Sequence, residues 1–95
     1  MKVSGFDWDA GNWPKCGKHG VSKAEIAELF DRVPAVLRDP HPKEPRMRAI
    51  GTTGAGRYLF VVFMLRSAAG QTLIRPISAR PMHEKEIAHY ENTSS

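Results

Sequence analysis

The chain has 95 residues, of which 41% are hydrophobic and 25% charged, with a formal net charge of +4; this leaves room for one domain with one modest core and excludes wholesale disorder. A single cysteine, Cys16, excludes an internal disulfide and fits a reducing cytosol. The start lacks the apolar stretch of a signal peptide, and the longest apolar run, 58–65, is too short to span a bilayer, so a cytoplasmic protein without membrane association is expected.

Taken in chain order, residues 2–8 suit a short first strand. Residues 9–20 contain Gly11, Pro14, Gly17 and Gly20 and read as a structured loop. Ser22-Lys23-Ala24-Glu25 is a capping box, with Val21 and Ile26 placed as a hydrophobic staple. Ile26, Leu29, Phe30 and Val33 then recur at helical spacing, so a helix is predicted over about 23–32, ended by Pro34. A short strand is expected at 36–38 and three longer ones at about 46–53, 57–66 and 72–79. Gly54-Ala55 suits a two-residue turn and Ala68-Ala69-Gly70 a three-residue one, so these three strands form an antiparallel meander. Pro76 lacks an N–H and belongs at an edge or a bulge. A second helix is predicted over about 83–91, with Glu84 and Glu86 in its first turn, followed by a frayed polar end at 92–95.

Charge is concentrated in the meander. Residues 43–80 hold seven basic residues, six of them Arg, against one acid, Glu44. Arginine forks bind phosphate oxygens in pairs, so this stretch points to a polyanionic partner. The turn lengths imply a register with Arg46, Phe63 and Arg75 in one cross-strand row and Arg48, Val61 and Ile77 in the next. Arg66, Ser78 and Arg80 then lie on the opposite face. The arginines are thus expected on both faces.

His19, beside Lys18 and just ahead of the capped helix, is the candidate proton carrier, because imidazole titrates near neutrality; the alternative is a histidine that hydrogen-bonds to fix its loop. His41, His83 and His89 are weaker candidates. Cys16 and His19 have no second pair of ligands at zinc-like spacing, so no metal site is expected. The glycines of 51–56 lack the Lys-Ser/Thr and helix of a phosphate-binding loop and read as a hairpin. Trp8 and Trp13 suit either packing in a small core or stacking on bases.

Several strings in order resemble the BrnT family of bacterial type II toxins: Phe6-Asp7-Trp8-Asp9, Lys18-His19-Gly20-Val21-Ser22, Glu44-x-Arg46 and Ile50-Gly51. They continue with Gly56-Arg57, Val61-Val62-Phe63 leading to Arg66, Ile74-Arg75-x-Ile77-Ser78-Ala79-Arg80, and finally Glu86 and Tyr90. The resemblance spans about 6–90. It implies an α+β, RelE-like fold: a three- to four-stranded antiparallel meander with an N-terminal helical segment and the two helices above, in one domain over 1–95. It also implies a ribonuclease that halts translation. Such a toxin is held inactive by an antitoxin with a DNA-binding domain, and operator DNA is bound only through the complex. Its reaction needs no cofactor, since RNA supplies its own 2′-hydroxyl nucleophile. On this reading His19, Lys18, Arg66 and Arg80 are catalytic, and Arg46, Arg48, Arg57 and Arg75 grip RNA. The same basic sheet would also serve a non-catalytic RNA- or DNA-binding module.

Overall fold

A computed structural model describes residues 3–94. Its elements run β1 (Gly5–Phe6), α1 (Lys23–Asp31), β2 (Ala35–Arg38), β3 (Met47–Thr52), β4 (Tyr58–Ala68), β5 (Gln71–Pro81) and α2 (Glu84–Ser94), with a single 3-10 turn at Lys15–Gly17 between β1 and α1. The strands form one sheet in the order β1-β5-β4-β3-β2. This corrects the expected three- to four-stranded antiparallel sheet. The described residues form five strands, and β1 adds to β5 in parallel, pairing Gly5 with Leu73 and Phe6 with Ile74. Part of the strand expected over 2–8 lies outside the described residues, and the expected N-terminal helical segment is reduced to the 3-10 turn.

α1 forms where its capping box stands. The Ser22 hydroxyl accepts from the Glu25 amide, and the Glu25 carboxylate accepts from the Ser22 amide. Its apolar stripe, with Ile26 and Leu29 buried, lies on one face of the sheet. Gly51 permits this approach, since a Cβ there would meet the Leu29 side chain at 3.0 Å. The 3-10 turn extends the same covering layer over β5, carrying Cys16 into the core. The inner face of the sheet contributes Ala49, Leu59, Val61, Phe63, Ile74 and Ala79. Burying each of the larger side chains stabilises by about 1.5–3 kcal/mol.

The strands alternate as a half-buried sheet requires, but their register differs from the expected one. The β3–β4 loop has three residues, Gly54, Ala55 and Gly56: the Thr53 amide donates to the Arg57 carbonyl and Gly56, at φ +83°, takes the left-handed position. The β4–β5 loop has only two, Ala69 and Gly70, both at positive φ as in a type I′ turn. Each turn therefore shifts the pairing by one residue. A bulge follows: Val62 pairs with Ser78 but Phe63 pairs with Pro76, leaving Ile77 as the extra residue. Pro76 and Ala79 both face the core as a result, although they are an odd number of positions apart.

α2 begins after His83, whose backbone N–H donates to Glu86 Oε1 at 2.8 Å. It runs on to Ser94 rather than fraying from 92; the Thr93 hydroxyl donates to the His89 carbonyl, and Ser95 lies outside the described residues. α2 packs on the outer face, where the Tyr58 hydroxyl donates to Glu91 and the Tyr58 and Tyr90 rings meet edge-on. No helix among the described residues is long and apolar enough to cross a membrane.

Candidate nucleic-acid interface

The register decides where the arginines point. Ile50 pairs with Phe60 and Phe60 with Arg80; Arg48 pairs with Val62 and Val62 with Ser78. Nearer the hairpin tip, Met64 pairs with Arg75 and Arg66 with Leu73. Since Phe63, Val61 and Ala49 point into the core, Arg48, Arg66, Arg75 and Arg80 all stand on the outer face. The expectation of arginines split between faces with Arg66 and Arg80 opposite Arg48 and Arg75 is therefore corrected. The bulge at Ile77 is what lets Arg75 and Arg80 share a face despite their odd separation.

These arginines are not left without counter-charge, because other segments supply it. Asp7 Oδ2 accepts from Arg66 Nη1 at 2.8 Å and from Arg75 Nη1 at 3.0 Å, and Asp9 takes both terminal nitrogens of Arg75. Arg48 meets Asp39 at 2.7 Å and Arg46 meets Glu44 at 2.8 Å. Arg80 and Glu86 form a forked pair. The Arg75 hydrogen bond holds Asp9 below the usual carboxylate range, and the Arg80 hydrogen bond takes Glu86 down to about 2. Scarcity of acids within 43–80 is thus a property of the sequence segment and not of the folded surface. The pairs are partly exposed, and such pairs contribute about 0–1 kcal/mol each, so a phosphate can exchange with a carboxylate at small cost.

Two clusters result on the outer face. Toward the hairpin tip, Asp7 and Asp9 hold Arg66 and Arg75. Toward α2, the Arg80 guanidinium lies 4.2 Å from the centre of the Phe60 ring and that of Arg48 lies 5.5 Å from it. Beside them opens a groove of about 320 Å³ between β2, β3, β4 and α2.

Lys18, His19 and Arg57 sit elsewhere. Arg57 Nη1 donates to the Gly20 carbonyl at 2.9 Å and to both oxygens of Glu25, tying the start of β4 to the capping box. The box bond from Ser22 and then the Arg57 pair hold Glu25 low. The loop bearing Lys18 and His19 is anchored at the other end by Asn12, which donates to the Asp7 and Pro76 carbonyls while its Oδ1 accepts from the Asp9 amide. The loop therefore belongs to the covering layer beside β5, beyond the two-residue pairing with β1. Lys18 and His19 are exposed, and their side chains make no hydrogen bond, ion pair or ring contact among the described residues. The structure thus joins Arg48 to Arg80 and Arg66 to Arg75, but places Arg57 with the His19 loop on the inner side.

Trp8 and Trp13 pack edge-on at 5.3 Å against the core, with the Lys23 ammonium about 5 Å from each ring. This is the packing alternative. His41 is a loop residue whose Nδ1 accepts from the Lys43 and Glu44 amides. Burial raises the Cys16 thiol to about 11, so it stays protonated. No group of three His, Cys, Asp or Glu side chains among the described residues is arranged to hold a metal. Phe60 and Asp39 escaped the sequence reading. Phe60 lies inside an apolar run, and only a correct register reveals that it faces outward between two arginines.

The fold and this surface define a small α+β protein whose sheet presents an arginine-rich, carboxylate-paired face. The family model described as the ribonuclease toxin BrnT of type II toxin-antitoxin systems matches residues 8–86, and the chain belongs to that family. No curated protein matches it. Members of the family are ribonuclease toxins, a class that implies RNA as substrate and an antitoxin as partner.

Proposed function

We propose that this chain is an endoribonuclease toxin, a single RelE-like domain acting in the cytoplasm, that cleaves RNA without a metal. The observation that carries the reading is the gathering of Arg48, Arg66, Arg75 and Arg80 on one sheet face in a chain of this family. The 2′-oxygen of one nucleotide bonds to the adjacent phosphorus while the bond to the 5′-oxygen breaks, leaving a 2′,3′-cyclic phosphate and a 5′-hydroxyl. Because Lys18 and His19 lie on the inner side with Arg57, the 2′-hydroxyl proton passes to solvent and the leaving 5′-oxygen takes one from solvent, while the outer-face arginines carry the charge. Arg80 and Arg48, gathered at Phe60, offset the extra negative charge of the transition state, and Arg66 and Arg75, further along the same face, hold a flanking phosphate. Losing one transition-state contact costs about 2–4 kcal/mol, as for an oxyanion donor. A cognate antitoxin with a DNA-binding domain silences the toxin, and operator DNA is bound only by the complex.

Expression without antitoxin tests this. Growth should arrest; Arg80→Ala should relieve the arrest while remaining folded, and His19→Ala should leave it in place. Purified protein should cleave RNA equally with and without EDTA. If Arg80→Ala stays as toxic as the parent, or if His19→Ala relieves the arrest, the residue assignment fails. RNA binding without any cleavage would instead identify a non-catalytic binding module.

A further inference from the structure

The groove beside α2 has a chemistry that phosphate binding leaves unused. Leu37, Ile50, Phe60 and Met82 give it an apolar floor, and Arg48, Lys85, Glu86 and His89 complete its wall. A phosphate has no apolar surface to bury there. A nucleobase has two apolar faces and a polar edge, which matches a slot with an apolar floor and hydrogen-bonding groups in its wall. The groove's volume of about 320 Å³ is at the lower end for ligand pockets, which suits one base better than a long polypeptide segment. Charge agrees: the Arg48 and Arg80 guanidiniums lie against Phe60, where the phosphate joined to such a base would sit.

The geometry points to a nucleobase subsite: the groove receives one base of the RNA, its faces against Leu37, Ile50, Met82 and the part of the Phe60 ring that the guanidiniums leave open to the groove, its edge toward Glu86, Lys85 and His89. Phe60 is then a specificity-determining residue. This deepens the ribonuclease reading and rests on it for the identity of the polymer.

Fluorescence anisotropy with an uncleavable 2′-O-methyl hexanucleotide, and with the same backbone made abasic, tests the subsite apart from catalysis. The parent should bind the base-bearing probe about tenfold or more tightly than the abasic one. Phe60→Leu, which keeps an apolar side chain, should remove most of that margin. Leu37→Glu at an exposed position, where folding is not at stake, should remove it as well by placing a carboxylate in the groove wall. A parent that binds both probes equally, or variants that keep the full margin, would overturn the subsite. So would variants that lose antitoxin binding while their oligonucleotide affinities stay unchanged, which would make the groove a polypeptide site. A parent that discriminates bases but cleaves no RNA would support the subsite and sink the ribonuclease reading. Cleavage without discrimination would do the reverse.

Discussion

Arg80 and Glu86 meet fork to fork: Nη1 donates to Oε1 at 2.7 Å and Nη2 to Oε2 at 2.9 Å, which joins the end of β5 to the first turn of α2. Oε1 also accepts the His83 amide at 2.8 Å, so one carboxylate both caps the helix and holds the guanidinium over Phe60. A lost Glu86 would therefore loosen helix, arginine and groove together.

The first prediction follows from that carboxylate. Its folded value of about 2 lies below the ordinary 4.5, so its contribution is complete above about pH 4.5 and is lost as pH falls toward 2. Asp9 and Glu25 are lowered too and act in the same direction. Glu86→Gln should cost about 1 kcal/mol at pH 7, a figure reduced for partial exposure, and should flatten the acid limb. Thermal midpoints measured from pH 7 to 2 check both points.

Asn12 is 2% exposed and makes three hydrogen bonds that bind the His19 loop to Asp7, Asp9 and the bulged stretch of β5. Asn12→Ala strands two carbonyls and an amide, at about 1–3 kcal/mol for each buried group left unsatisfied. Urea denaturation should show a loss in that range or above it. Asn12→Asp keeps the acceptor and removes both donations, so it should not recover the parent's stability.

The capping box and Arg57 are linked through Glu25. Ser22→Ala removes one cap and should cost about 1 kcal/mol. Glu25→Ala breaks the box and frees Arg57 together, so it should cost more than Ser22→Ala. The double variant should be less destabilised than the sum, because the residues share one network; a denaturation-based double-mutant cycle measures the difference.

Asp7 and Asp9 occupy guanidinium sites that an RNA phosphate would need. Asp9→Asn should therefore raise affinity for single-stranded RNA a few-fold and steepen the dependence of binding on salt, since Arg75 gains freedom to pair with phosphate. Anisotropy titrations at several salt concentrations read both quantities. An unchanged affinity would place RNA away from Arg75.

The local features were legible in the sequence because neighbours in the chain create them. Ser22 and Glu25 make the cap wherever the helix packs, the long β-rich runs at β3, β4 and β5 alternate about one buried face, and Gly70 marks its turn. The arginine excess and the ordered BrnT-like strings were also on the surface of the sequence, and the family match agrees with them. What the sequence could not set was which arginine stands beside which. The loop at Gly54–Gly56 is one residue longer than expected, that at Ala69–Gly70 one shorter, and Ile77 bulges; a single-residue slip turns a strand over. Nor does composition reveal that Asp7, 59 positions from Arg66 and 68 from Arg75, would close on both. Those pairings exist only because β1 adds in parallel to β5, and a parallel neighbour is chosen by packing of the whole sheet rather than by any adjacent turn. Residue types and spacing determined a capped helix and a basic meander, and the ordered strings carried a resemblance that the family match shows to be membership. Tertiary structure alone gathered four arginines on one face, gave them carboxylates, and left Phe60 standing between two of them.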